Sequence, residues 1–385
     1  MVKFKKLGDL CYISSGGTPK RTITDYWDNG KIPWVKISDI KSKHILNTDE
    51  RITKQGLENS SAKLFPKDTI VYTIFATVGE VGILDITAAT NQAIAGIQVK
   101  DRTQLRVDYL YYFLKSIKKS VQFLGRGVAQ NNINLSVLKS ISVPIPSFQE
   151  QTAIVKVLDS LNGQIKNKHK QLTLLSQLIK ARFVEMFGDP VLNSNDYKLI
   201  KLSNLGTLSR GKSKHRPRND PKLLGGPYPL IQTGDITNSG IFIKKYNNTY
   251  SKLGLKQSKM WPAGTLCITI AANIAQTAIL SFDACFPDSV VGFIPKADII
   301  TTTYLHYWFS FFQKILDAQA SQVAQKNINL KVLSNLDVAV PPITEQDKFL
   351  SFVQQVDKSK FENIVYLNKT LSMKILSQLG DGFRD

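Results

Sequence analysis

The sequence predicts an α+β protein: two tandem β-rich α/β domains, separated and linked by two long helices that pair antiparallel as a coiled coil, with a pseudo-two-fold internal repeat. Three observations predict it. The chain matches itself at a shift of about 195 residues along its whole length. The first part of each copy holds short β-branched runs bounded by Pro and Gly. Each copy then closes with a long proline-free stretch whose apolar residues follow a heptad spacing.

The repeat is read residue by residue. Leu7, Leu10 and Gly16 fall on Leu202, Leu205 and Gly211. After a one-residue slip, Pro33 and Asp39 fall on Pro229 and Asp235, Phe65-Pro66 on Trp261-Pro262, and Gly96 on Gly292. The original shift then returns, setting Tyr109-Leu110 on Tyr304-Leu305, Asn132-Ile133-Asn134-Leu135 on Asn327-Ile328-Asn329-Leu330, and Glu150-Gln151 on Glu345-Gln346. The shared residues are mostly Gly, Pro, Asp and apolar types, which set turns and cores. The charged residues between them differ, which implies one fold presenting two different surfaces. The domains are placed at 1–147 and 196–342, and the helices at 148–187 and 343–380.

Within each domain, 69–75 and 265–270 read as strands, as do 93–99 and 289–294, whose central glycines mark bulges or a close backbone approach. Stretches 107–121 and 303–316 have helical spacing; their aromatics Tyr109, Tyr112, Phe113, Tyr304, Tyr307 and Trp308 read as core. The first long helix collects Gln151, Ile154, Leu158, Leu161, Ile165, Lys168, Leu172, Leu175, Ile179, Arg182 and Met186 on one seam and stops at Gly188-Asp189-Pro190. The second collects Phe349, Val353, Val356, Lys360, Asn363, Leu367 and Thr370. Helices of about 35–38 residues, about 50–55 Å long, need a partner for that seam; each is the other's nearest candidate, the alternative being that each folds back on its own domain.

Composition narrows the function. Fifty Lys+Arg against thirty Asp+Glu give the 385-residue chain a formal net charge of +20. The excess is shared: residues 1–200 hold 28 basic and 17 acidic side chains, residues 201–385 hold 22 and 13. Two basic halves suit a polyanion, with double-stranded DNA the usual partner. No apolar run approaches membrane-spanning length and no signal core follows Met1–Lys6, which points to a cytoplasmic protein away from the membrane. Cys11, Cys267 and Cys285 form no metal-binding or disulfide pattern.

Two motifs invite catalytic readings. Gly206-Thr-Leu-Ser-Arg-Gly-Lys-Ser213 is a literal G-x-x-x-x-G-K-S, the basis of an alternative reading as a P-loop nucleotide-binding enzyme. The prolines at 217 and 221 oppose the helix such a loop must precede. Phe123-Leu-Gly-Arg-Gly127 echoes a methyl-donor loop, yet no N-P-P-[FYW] or D-P-P-Y motif accompanies it. The expectation is therefore a chain with no catalytic, cofactor or metal site. A further alternative is a coiled-coil adaptor that does not bind DNA.

The candidate DNA-binding residues lie in loops. The segment 210–222 carries Arg210, Lys212, Lys214, Arg216 and Arg218; its counterpart in the first copy carries Lys20 and Arg21, with Lys36 and Arg126 beyond it. Such cations neutralise phosphates, and Arg also reads guanine edges. Gln130, Asn131, Gln325 and Lys326 add amides and a cation in a segment that recurs in both copies, where turn-making and helix capping compete as roles.

Together, the paired Lys-Leu-Gly-Asp-Leu (6–10) and Lys-Leu-Ser-Asn-Leu (201–205) openings, the Asn-Ile-Asn-Leu-x-x-Leu runs, the Glu-Gln pairs and the Arg182-Phe-Val-Glu-Met-Phe-Gly-Asp-Pro190 helix end resemble the specificity subunit of type I restriction–modification systems, over essentially the whole chain. The second helix departs, ending in Gly380-Asp-Gly-Phe-Arg384. The resemblance implies two target-recognition domains reading a bipartite DNA sequence, with the helices setting the unread gap. It also implies two modification (methyltransferase) subunits and restriction/translocase subunits as partners, which would carry S-adenosylmethionine, ATP and Mg²⁺.

Overall fold

The computed structural model describes residues 2–124, 132–215, 217–271, 274–321 and 328–366. It divides into two compact units, one containing residues 1–166 and the other 167–374.

In the first unit a five-stranded sheet runs Cys11–Ser15, Ile94–Val99, Ile70–Thr73, Val81–Leu84, His44–Ile45. All pairings are antiparallel except the last. The central strand Ile-Val-Tyr-Thr is buried at every position. Its alternation sorts the two faces: Ile70 and Tyr72 join a core with the helix α1 (Val107–Ser116), while Val71 joins a second core with Val35, Phe65 and Ile94. That second core is roofed by a four-stranded sheet, Glu50–Ile52, Ile32–Val35, Ala88–Thr90, Leu64–Phe65. Lys3–Lys6 pairs with Ser142–Ile145, which brings the start of the domain to its end.

The second unit repeats this plan. Its five-stranded sheet runs Gly206–Arg210, Val290–Pro295, Leu266–Thr269, Thr277–Leu280, Phe242–Ile243, again with a parallel last pair. Leu266 and Ile268 face one core and Cys267 the other. Gly96 and Gly292 are explained by packing rather than by a bulge. A Cβ at Gly96 would lie 2.3 Å from the Phe65 ring, and one at Gly292 would lie 2.6 Å from Trp261, so each strand is bare where an aromatic ring crosses it. The six aromatics read as core are all buried. The stretch 107–121 differs from expectation in being two helices, α1 and α2 (Lys118–Leu124).

The first long helix, α3, spans Phe148–Phe187 and ends at Gly188, whose φ of +72° is the left-handed cap that glycine permits. Every position of its heptad seam is buried or half-buried. What the seam meets differs from a simple two-helix pairing. In the first unit, Val155 and Leu158 enter the core of the β-rich domain beside Tyr109 and Leu114. In the second unit, Ile179, Phe183 and Phe187 share a core with α4 (Thr302–Ser321) and with Phe349, Val353 and Val356 of α5 (Ile343–Tyr366). There Phe183 meets Phe349 with ring centroids 5.4 Å apart, and Lys168 Nζ donates to Asn363 Oδ1 at 2.8 Å. Moving down one helix moves up the other, so this pair is antiparallel. Among the described residues no helix is long and apolar enough to cross a membrane.

Candidate nucleic-acid interface

The basic loops are placed by the sheets. In the first unit the loop after Cys11–Ser15 carries Lys20 and Arg21, and the strand Ile32–Val35 delivers Lys36 beside them. Arg21 is not a free cation. Its guanidinium lies 3.7 Å from the Trp27 ring centre and 4.9 Å from that of Trp34, and its Nη1 is 2.5 Å from Glu50 Oε2. Trp27 and Trp34 pack edge to face, and their indole N–H groups donate to the carbonyls of Lys20 and Gly17. Lys36 Nζ donates to the other Glu50 oxygen at 2.7 Å. Burial alone would raise the Glu50 carboxyl, but the hydrogen bonds from Lys36 and Arg21 outweigh it and hold it below the usual range. The hydrogen bond to Glu50 in turn raises Lys36. One carboxylate thus sets the position of two cations, and the indole cage sets the orientation of one.

In the second unit Asp288 plays the corresponding part. Its Oδ1 is 2.5 Å from Arg218 Nη2, and its carbonyl accepts from Arg210 Nε at 2.9 Å. Asp220, held below its usual range chiefly by the backbone N–H of Lys222, contacts His215 Nε2 at 3.1 Å. Lys20, Lys212 and Lys214 are exposed and pair with no carboxylate among the described residues. Arg126, Gln130, Asn131, Arg216, Gln325 and Lys326 lie outside the described residues. Next to that recurring segment, Asn134 and Asn329 each cap a short helix by accepting from the backbone N–H three residues on.

Sequence reading missed Glu50, Asp288 and the Trp27–Trp34 cage. Only tertiary pairing brings Glu50 opposite Trp34, across adjacent antiparallel strands. The Gly206–Ser213 segment is no phosphate loop. Gly206–Arg210 is a strand, 211–214 has no regular structure, and the next helical turn is the three-residue Pro221–Leu223. Among the described residues, no helix directly follows the loop in the chain as a phosphate loop requires. Among the described residues no group of three His, Cys, Asp or Glu could hold a metal ion. All three cysteines are buried, and burial pushes the Cys11 thiol up to about 12, far from a reactive thiolate.

Known proteins share this organisation. A family model described as type I restriction modification DNA specificity domain matches residues 1–177 and again 194–372. The chain is 24% identical over 401 residues to the type I restriction enzyme MjaIX specificity subunit of Methanocaldococcus jannaschii, covering 98% of this chain and 90% of that one. It is 27% identical over 169 residues to the EcoR124I/EcoR124II specificity subunit of Escherichia coli, covering 42% and 41%. The fold matches the crystal structure of a type I restriction–modification S subunit from M. genitalium, with TM-score 0.58, 17% identity and coverage of 100% and 96%. A chain solved in work on assembly and conformational transition of the type I R-M system matches with TM-score 0.64, 15% identity and coverage of 98% and 95%.

Proposed function

We infer the function from one premise: the chain belongs to the type I restriction modification DNA specificity family, whose domain it carries twice. Its two domains each read one half of a bipartite double-stranded DNA target. Residues 1–147 and 196–342 are the reading heads, and the stretches 148–187 and 343–380, the latter outside the described residues beyond Tyr366, are the spacer between them. The chain performs no chemistry; it works in the cytoplasm as the scaffold on which two modification subunits and the restriction/translocase subunits assemble. S-adenosylmethionine, ATP and Mg²⁺ act on those partners.

The observation that carries this reading is the duplicated domain in which different basic residues occupy the same loop. Glu50 organises Arg21 and Lys36 in one copy, and Asp288 organises Arg210 and Arg218 in the other. Cations held by a partly exposed acidic residue, through its carboxylate or, for Arg210, its backbone carbonyl, keep one geometry before DNA arrives, which favours recognition over mere attraction. Motif-resolved methylome sequencing tests it, comparing cells that carry this chain and its methyltransferase partner with cells lacking only the chain. A two-part methylated motif with an unread gap, present only with the chain, is expected. Methylation of the same motif in its absence removes the chain from the reading role.

A further inference from the structure

The second unit contains a cavity that the DNA reading does not use. It measures about 500 Å³ and lies where α3, α4 and α5 meet the segment 236–244 and the start of the strand Thr277–Leu280. Its polar lining includes Lys180, Lys244, Gln276, His306, Asp357 and Lys360; Ile241, Phe242, Tyr307 and Phe361 supply apolar wall. Three lysines and one carboxylate thus line it. Asp357 Oδ1 is 3.8 Å from Lys360 Nζ, and neither Lys180 nor Lys244 pairs with a carboxylate among the described residues. His306 adds no further positive charge near pH 7. Burial pushes its imidazole down to about 4 despite a hydrogen bond to the Thr277 backbone, so it is neutral near pH 7; its Nδ1 lies 3.0 Å from Thr277 Oγ1.

The first unit serves as an internal control. The repeat sets Tyr111 on His306, Tyr112 on Tyr307 and Asn162 on Asp357. There the cationic group is Lys43, and two carboxylates satisfy it: Asp108 at 2.7 Å and Asp159 at 2.8 Å. Tyr112 Oη also donates to Asp159, and Asn162 Nδ2 donates to Tyr112 Oη. The first copy closes this corner with its own acids. The second copy leaves an excess of positive charge around a concave, partly apolar space, which is the arrangement that takes an anion with an organic body.

We propose that this cavity binds a small phosphorylated ligand, its phosphate held by Lys180, Lys244 and Lys360 and its organic part lying against Tyr307 and Phe361. The ligand would tie both long helices of the second unit to the β-rich domain, so binding stabilises that unit. The test uses the full chain, with inorganic phosphate and adenosine monophosphate as probes and chloride at matched ionic strength as the control, read by calorimetry and thermal melting. Saturable binding is expected for both probes, tighter for the nucleotide, with an upward melting shift that chloride does not give. The Lys180→Gln/Lys360→Gln double variant should bind at least tenfold more weakly. Lys244→Gln, on an exposed strand end, replaces it should the double variant fail to fold. Probes that act no better than chloride, or variants that bind as the parent does, overturn the proposal. So does displacement of bound phosphate by a short DNA duplex, which would assign the lysines to the DNA backbone instead.

Discussion

Gln151 and Gln346 occupy equivalent positions in the two copies, are both fully buried, and make the same three hydrogen bonds. Gln151 Oε1 accepts from Arg106 N, and its Nε2 donates to the carbonyls of Gln104 and Pro146. Gln346 Oε1 accepts from Thr301 N, and its Nε2 donates to the carbonyls of Ile299 and Pro341. Each glutamine joins the start of a long helix to the loop before the aromatic helix and to the proline that precedes the long helix. Tyr109 and Tyr304 reinforce the joint by donating to the carbonyls of Pro144 and Ala339.

Replacing such a glutamine leaves three backbone groups at a largely buried joint without that partner, each worth about 1–3 kcal/mol when stranded away from water. Gln346→Ala is expected to destabilise the second unit by about 3 kcal/mol, water recovering part of the loss, and Gln151→Ala to do the same in the first. Urea unfolding followed by tryptophan fluorescence reads both, because Trp27 and Trp34 report on one unit and Trp261 and Trp308 on the other. A loss below about 0.5 kcal/mol would show that the joint is incidental to stability.

The Glu50 arrangement makes a different kind of prediction. Glu50→Gln removes a negative charge, so general attraction to DNA should rise slightly. It also releases Arg21 and Lys36 from a shared anchor. Discrimination between the correct and an altered first half-site should then fall about tenfold, or about 1.4 kcal/mol, within the range of one side-chain–base contact. Trp27→Ala should act in the same direction by opening the cage on Arg21. Competition binding with matched and mismatched duplexes measures it, and unchanged discrimination in both variants would free Arg21 from any reading role.

His306 gives stability a pH dependence. Its folded pKa, pushed to about 4 mainly by burial, lies below the ordinary value of 6.5. Between those values the unfolded chain binds the proton and the folded one does not. Stability therefore falls as pH drops through that window, by up to about 1.4 kcal/mol per unit. Lys180 and Lys360 push the same way. Asp357 opposes: burial raises its carboxyl, so the folded state takes up that proton first and regains some stability at the acidic end. His306→Gln should flatten the slope of the urea midpoint between pH 6.5 and 4.5. A variant as pH-sensitive as the parent would place the dependence elsewhere.

Much of this was legible in the chain because duplication doubles each signal. Gly96 alone could mark a bulge or a close approach; paired with Gly292 it marked a requirement of the fold, and the crossing Phe65 and Trp261 rings show which one. Buried aromatics were legible from helical spacing. Gln151 was misread in emphasis: its seam position was right, but its partners are backbone groups of its own domain rather than a facing helix. Heptad spacing states which residues turn inward and says nothing of what they meet. The counter-carboxylates Glu50 and Asp288 were illegible, since strand pairing and loop closure bring them to the cations from remote parts of the chain.

The spacer role makes the sharpest geometric prediction. On α3, Val155 and Leu158 belong to the first unit's core, and Ile179, Phe183 and Phe187 to the second's. Beyond the buried Leu161, the stretch between carries only partly buried seam residues, Ile165, Lys168, Leu172 and Leu175. Deleting residues 164–170 removes one heptad there, keeping both docked ends and turning the helix by only about 20° from register. At 1.5 Å per residue it shortens the helix by about 10 Å, roughly three base pairs of B-form DNA. The methylated motif should keep both half-sites and lose about three base pairs of gap. Removing the matching heptad from the second helix should restore activity if the single deletion impairs it, because an antiparallel pair must be shortened on both sides. Altered half-sites with an unchanged gap would mean that the helices do not measure the distance between the two readers.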